Sequence, residues 1–88
     1  MVWQIEYKKR AKKQFEKLPI KAQKKIDFYL KNRIANLDDP RQLGKPLTGN
    51  GIGLWRYRVG NYRIACEIKN SLLLIVVIEV GDRQYINY

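Results

Sequence analysis

Two hydrophobic rhythms divide the chain. Val2–Tyr7 sets Trp3, Ile5 and Tyr7 against Val2, Gln4 and Glu6, the period of two that a half-buried strand requires. The spacing then lengthens: Ala11, Phe15 and Leu18 fall at i, i+4 and i+7, one stripe of a helix. Pro19 interrupts that stripe and a second helix starts there, with Ile26, Tyr29, Leu30, Ile34 and Leu37 on its apolar side. Asp38-Asp39-Pro40 closes it, because proline lacks the backbone donor and disfavours helix in the residue before it. Two antiparallel helices in a hairpin are expected. Pro40, Gly44, Pro46, Gly49, Gly51 and Gly53 mark the next segment as a loop.

From Leu54 onward the chain reads as strands. Leu54–Val59 and Tyr62–Ile68 alternate, while Leu72–Val80 is almost wholly apolar, as a central strand buried on both faces would be. The segment Ile78–Arg83 is expected to turn out of the sheet into a polar tail carrying Tyr85 and Tyr88. The predicted order is β-α-α-β-β-β. This is an α+β fold, a helical hairpin packed on one face of a small, mainly antiparallel sheet. One domain over residues 1–88 is expected, of a size that buries roughly 60–65% of its unfolded surface.

Gly60-Asn61 between Val59 and Tyr62 is a two-residue hairpin signal, and it predicts a register. Val59 should face Tyr62, Arg58 should lie opposite Arg63, and Arg56 opposite Ala65. Alternation then gathers Arg56, Arg58 and Arg63 on one sheet face, with Trp55, Tyr57, Tyr62, Ile64, Cys66 and Ile68 on the other. Like charges directly opposite each other weaken a strand ladder. Either the arginines splay into water or pair with Glu67 or Glu79, or they form an anion site. Guanidinium suits phosphate because its fork binds two oxygens and keeps its charge. If the central strand runs antiparallel to Tyr62–Ile68, Arg83 comes back toward Arg63.

Composition narrows the chemistry. Eighteen Lys and Arg against eight Asp and Glu give a net charge of +10, a field that attracts nucleic acid, an anionic membrane or an acidic protein. Eleven of the 18 basic residues lie in residues 1–33, with only Glu6, Glu16 and Asp27 to offset them, so the outer helix faces carry lysine. Those lysines read equally as solvated surface or as a docking face for RNA phosphates. There is no histidine, which excludes His-based acid–base catalysis and a Cys–His pair. Cys66 is the one cysteine, so neither an internal disulfide nor a zinc site is expected, and it reads as a small core residue. No metal or cofactor is called for. Gly44–Gly49 lacks the spacing of a phosphate-binding G-x-x-x-x-G-K-[ST] loop, which argues against nucleotide hydrolysis. The N-terminus lacks a signal-peptide layout, and the apolar run Leu72–Ile78 is far shorter than a membrane span, so a cytoplasmic protein is expected.

Three blocks, in this order of elements, resemble the RelE/ParE toxin superfamily. They are Gly44-Lys45-Pro46-Leu47, then Gly53-Leu54-Trp55-Arg56-Tyr57-Arg58-Val59-Gly60-Asn61-Tyr62-Arg63-Ile64, then Ile78-Glu79-Val80-Gly81-Asp82-Arg83. The resemblance spans nearly the whole chain. It implies the toxin of a type II toxin–antitoxin system. RelE-like members are ribosome-dependent endonucleases that cut mRNA in the A site, and an acidic RelB-like antitoxin neutralises them. ParE-like members share the fold but poison DNA gyrase by protein–protein binding. A plain RNA-binding module is a third reading.

Carried over residue by residue, the resemblance implies that Arg63, Arg83 and Tyr88 are catalytic. It implies that Lys45, Arg56, Arg58 and Tyr85 contact substrate, with Tyr85 the rival of Tyr88 for the tyrosine role. The second-strand pair is lysine in some family members and arginine here, so Arg56 and Arg58 can stabilise charge but cannot serve as a base. The implied reaction is attack of a ribose 2′-hydroxyl on its own phosphodiester. Arg63 and Arg83 would clamp the phosphate, Tyr88 would be the base, and Arg83 would assist the leaving oxygen.

Overall fold

A computed structural model describes residues 2–47 and 53–82. Strand β1 is Gln4–Tyr7, helix α1 Lys9–Glu16 and helix α2 Ile20–Phe28, which runs on as a π-helical turn over Tyr29–Ile34. After a short 3-10 turn at Pro40–Gln42 come β2 (Lys45–Pro46), β3 (Trp55–Val59), β4 (Tyr62–Lys69) and β5 (Leu74–Asp82). The five strands form one sheet in the order β1-β5-β4-β3-β2. Three of its ladders are antiparallel, and β1 pairs with β5 in parallel. The α+β class read from the periodicities is the fold observed.

The helices cover one sheet face. Ala11, Ile26, Leu30 and Ile34 pack with Tyr57, Val59, Ile64, Cys66, Ile75, Val77 and Val80, all of them buried. A fully buried aliphatic side chain of this kind contributes about 1.5–3 kcal/mol. The expected stripe of α2 is largely what is buried, although Tyr29 and Leu37 are only partly covered. In the π turn the Ala35 N–H reaches back five residues to the Leu30 carbonyl, at 2.9 Å. The Ala35 carbonyl then accepts from the Trp3 N–H at 2.8 Å, which ties the helix end to the start of β1. At the other helix junction the Gln23 side-chain amide donates to the carbonyls of Glu16 (3.1 Å) and Leu18 (2.8 Å), groups that a helix end leaves open.

Four details differ from the sequence reading. The loop over residues 40–53 contains the two-residue strand β2, whose pairing comes from β3 across the chain and not from local propensity. The last strand starts at Leu74: Asn70–Leu72 forms a 3-10 turn and Leu73 adopts a left-handed conformation, φ +48°. The strand also extends further than expected, since Gly81 and Asp82 still pair with Arg63 and Tyr62. Finally, Ala65 faces Glu79 while Cys66 faces Val77, so Ile78 is an extra residue, a bulge in β5. Beyond Tyr7 the chain leaves the edge of β5, and α1 takes its place. There the Gln14 side-chain oxygen accepts from the Val80 N–H at 2.9 Å, and Arg10 reaches Glu79 at 3.7 Å.

Tyr57 anchors the loop to the sheet. It is fully buried, and its hydroxyl donates to the Pro40 carbonyl at 2.6 Å. Burial pushes its phenol well above the ordinary tyrosine range, and burial together with the neighbouring Asp27 carboxylate does the same to Tyr7. Both groups favour the protonated form more strongly when folded. Their stabilisation is therefore full below about pH 10, where the unfolded phenols titrate, and is lost as pH rises above it. Urea titrations between pH 8 and 11.5 should show a falling midpoint above pH 10. In Tyr57→Phe the fall should be shallower, on a protein already weakened by about 1 kcal/mol through loss of the buried hydrogen bond.

Candidate functional site

The hairpin register is the one expected: Val59 pairs with Tyr62, Arg58 with Arg63, Arg56 with Ala65. Gly60 has φ +57°, and Leu73 is the one non-glycine among the described residues with positive φ, so Asn61 lies on the negative side. Positive φ at the first central position alone is the pattern of a type II′ turn, which matches the twist of its strands. Lys45 lies opposite Arg56 on β2. Lys45, Arg56, Arg58 and Arg63 therefore share the sheet face opposite the helices, in two adjacent rows. One row runs Lys45, Arg56, Ala65, Glu79 and the other Arg58, Arg63, Gly81. Directly opposed Cβ atoms lie about 4.5–5.5 Å apart, so this is a dense array of like charge.

Of the three carboxylates that the described residues place on this face, Glu6 stands on the edge strand β1, across Val76 from Glu67, and the other two are engaged by other cations. Glu79 pairs with Arg10 at 3.7 Å and Glu67 with Lys69 at 3.5 Å. Neither Arg56 nor Arg58 joins an ion pair among the described residues. Such a face holds its cations at a cost in mutual repulsion, which a bound polyanion would relieve. Gly44 sets the position of Lys45. Its φ is +76°, and a Cβ there would run into the Arg56 carbonyl oxygen and crowd Trp55 Nε1 and Tyr57 Cδ1 at 2.8 Å. Trp55 Nε1 itself donates to the Leu43 carbonyl at 2.6 Å, holding the loop against β3.

Beside this face, where β2 begins, lies a hollow of about 250 Å³ lined by Tyr29, Leu43, Gly44, Lys45, Arg56 and Arg58. Tyr29 was read from the sequence as part of the core stripe of α2; the only sign of another role was a hydroxyl among aliphatic residues. A second, basic hollow runs along α1, lined by Lys9, Arg10, Lys13, Gln14 and Lys17, where the lysine-rich helix faces were expected. The site thus brings together Lys45, Arg56, Arg58 and Arg63. Arg83, Tyr85 and Tyr88 lie outside the described residues. Cys66 is fully buried, which pushes its thiol up and keeps it protonated, in line with a core role. No group of three or more acidic, Cys or His residues placed to hold a metal ion occurs among the described residues. No helix among them is long and apolar enough to cross a membrane.

A family model described as the ParE toxin of the type II toxin–antitoxin system parDE matches residues 5–85. Among curated proteins none matches the sequence. Several solved structures share the fold. The toxin–antitoxin complex RelBE2 from Mycobacterium tuberculosis contains a chain 22% identical, with TM-score 0.85, covering 94% of this chain and 93% of that one. The isolated RelE toxin of E. coli is 16% identical, with TM-score 0.71, over 91% and 83% of the two chains. The archaeal RelE–RelB complex from Pyrococcus horikoshii gives 19% identity and TM-score 0.71 over 98% and 100%.

Alanine at the two glycines should separate conformational strain from steric conflict. Gly60→Ala meets open space and should cost about 1–2 kcal/mol, the left-handed penalty alone. Gly44→Ala adds the conflict with the Arg56 backbone and should cost more, as read by urea denaturation. Cys66 should react with a thiol-selective reagent at least about a thousand-fold faster in denaturant than in the folded protein. Rapid labelling without unfolding would contradict its burial.

Proposed function

The chain belongs to the ParE toxin family of type II toxin–antitoxin systems, and from that premise we propose that it is a ribosome-dependent endonuclease that cuts mRNA in the A site and so inhibits translation. The observation that carries this reading is the convergence of Lys45, Arg56, Arg58 and Arg63 on the sheet face opposite the helices. A surface that inhibits a protein target has no need of four forked or point cations in adjacent rows, whereas a phosphodiester in reaction does. The 2′-hydroxyl attacks the adjacent phosphorus and the 5′-oxygen leaves, giving a 2′,3′-cyclic phosphate. Arg63 and Arg83 hold the non-bridging oxygens as charge builds on them. Tyr88, or Tyr85 in its place, takes the 2′-hydroxyl proton; cations nearby favour the phenolate. Arg83 hydrogen-bonds the departing 5′-oxygen, which takes its proton from water. Lys45, Arg56 and Arg58 bind the flanking phosphates. With no histidine in the chain, the ribosome supplies much of the rate by fixing the codon in place.

The partner that silences the toxin is an acidic, RelB-like antitoxin that wraps the basic surface. The cell compartment is the cytoplasm, where ribosomes are found. A second reading is favoured by the description of the matching family, the ParE toxin of parDE. In that reading the chain poisons DNA gyrase through protein contacts and without catalysis.

Primer extension on a reporter mRNA, with and without programmed ribosomes, separates the two. Cuts within codons that require ribosomes, and that fall at least about 100-fold in Arg63→Ala, are expected. No cuts from the folded protein, together with inhibition of DNA supercoiling that survives Arg63→Ala, would establish the gyrase reading instead.

A further inference from the structure

The hollow at the start of β2 differs in kind from the cation face beside it. Its lining combines three cations, Lys45, Arg56 and Arg58, with an aromatic ring, Tyr29, and an aliphatic side chain, Leu43, and contains no carboxylate. We propose that this hollow is a nucleotide subsite, in which one base of a single-stranded RNA lies against Tyr29 and Leu43 while its phosphate is held by Lys45, Arg56 and Arg58. The proposal rests on the reading of the chain as an RNA-cutting toxin, and it names the element that would select the base beside the cut.

Three observations support it. The first is size. At about 250 Å³ the hollow is smaller than the roughly 300–1,000 Å³ of sites that enclose a whole drug-sized ligand, and it suits one planar ring. The second is the state of Tyr29. The neighbouring phenol, Tyr57, donates to the Pro40 carbonyl, and Tyr7, elsewhere in the core, donates to Asp27. The Tyr29 hydroxyl forms no hydrogen bond among the described residues, and burial pushes its phenol up, so that it stays protonated as a donor. That hydroxyl is accessible, so a ligand in the hollow can reach it. The Tyr29 ring is held edge-on to Tyr57, at 6.4 Å between centroids and 65° between planes, so a ligand meets a surface already set in place.

The third observation is backbone. Tyr29 opens the π-helical turn Tyr29–Ile34, a departure from α-helix that is frequent at functional sites. Because Arg56 and Arg58 belong to the hollow and to the cation face alike, a strand crossing that face brings its next base over Tyr29. An aromatic ring accepts any base face-on; a base seated edge-on against Leu43, in the plane of the phenol, instead takes a hydrogen bond from the Tyr29 hydroxyl, and that bond discriminates among base edges.

The test uses the full-length protein and 2′-O-methyl trinucleotides, which cannot be cut, beside a trimer of the same backbone lacking bases. Binding is followed at low salt by NMR, on the Tyr29 ring and the Arg56 and Arg58 side chains. The wild type should bind the base-bearing trimers more tightly than the abasic one. Tyr29→Ala should lose about ten-fold in affinity for the former and nothing for the latter. Tyr29→Phe, which keeps the ring and the packing, should retain tight binding but level the preference among bases and shift the cut-site preference on programmed ribosomes. Equal affinity of wild type and Tyr29→Ala for both kinds of trimer overturns the subsite, even if the protein cuts mRNA. Absence of ribosomal cutting, with the trinucleotide pattern intact, leaves the subsite standing and removes the endonuclease reading. Shifts at Tyr29 produced by an acidic peptide and by none of the trimers would give the hollow to a protein partner and overturn the proposal.

Discussion

The register of the β3–β4 hairpin is the constraint on which the rest depends. Side chains alternate across a strand, so a slip of one residue would move Tyr57 and Ile64 to the open face and drive Arg58 and Arg63 into the core. A buried unpartnered guanidinium would cost far more than the fold has to give. Burial of the apolar set under the two helices therefore holds the cations out, and the two-residue turn at Gly60–Asn61 fixes where they stand. The repulsion between Arg58 and Arg63 is borne by the core on the far side of the sheet.

The loop before β3 is shaped by the same hairpin. Tyr57 and Trp55 each bind a loop carbonyl, of Pro40 and Leu43 respectively, and Gly44 lets the chain lie against the Arg56 backbone. These contacts carry Lys45 to its position opposite Arg56. Asp39 caps the turn, its carboxylate accepting from the Arg41 N–H at 3.0 Å. A residue eleven positions from Arg56 thus joins its row through two aromatic side chains, Tyr57 buried and Trp55 partly so, that also pack against the core.

At the opposite edge, α1 takes over where β1 stops. Gln14 satisfies a β5 N–H that a further strand would have taken, and Arg10 draws Glu79 toward α1 and away from the arginines. The bulge at Ile78 lies at this transition, where β5 loses one neighbour and gains a helix. Covering a sheet edge in this way protects it from unwanted pairing. It also occupies Glu79, the carboxylate in the row of Lys45 and Arg56, through Arg10 of α1.

Local signals were enough for much of this. Periods of two and of about 3.6 identified strands and helices, because each element must bury one side. The Gly60-Asn61 turn with its flanking alternation placed Arg56, Arg58 and Arg63 together, because hairpin pairing joins residues close in sequence. Tertiary structure decided what depends on contacts between distant segments. It made Lys45 and Pro46 a strand, carried β5 on to Asp82, and set the left-handed Leu73 and the extra Ile78. It also gave Tyr29, which packs against the core as its place in the stripe predicts, a second side in the wall of a hollow. None of these has a local signature: a two-residue strand, a bulge and a cavity wall exist only when another part of the chain supplies the partner.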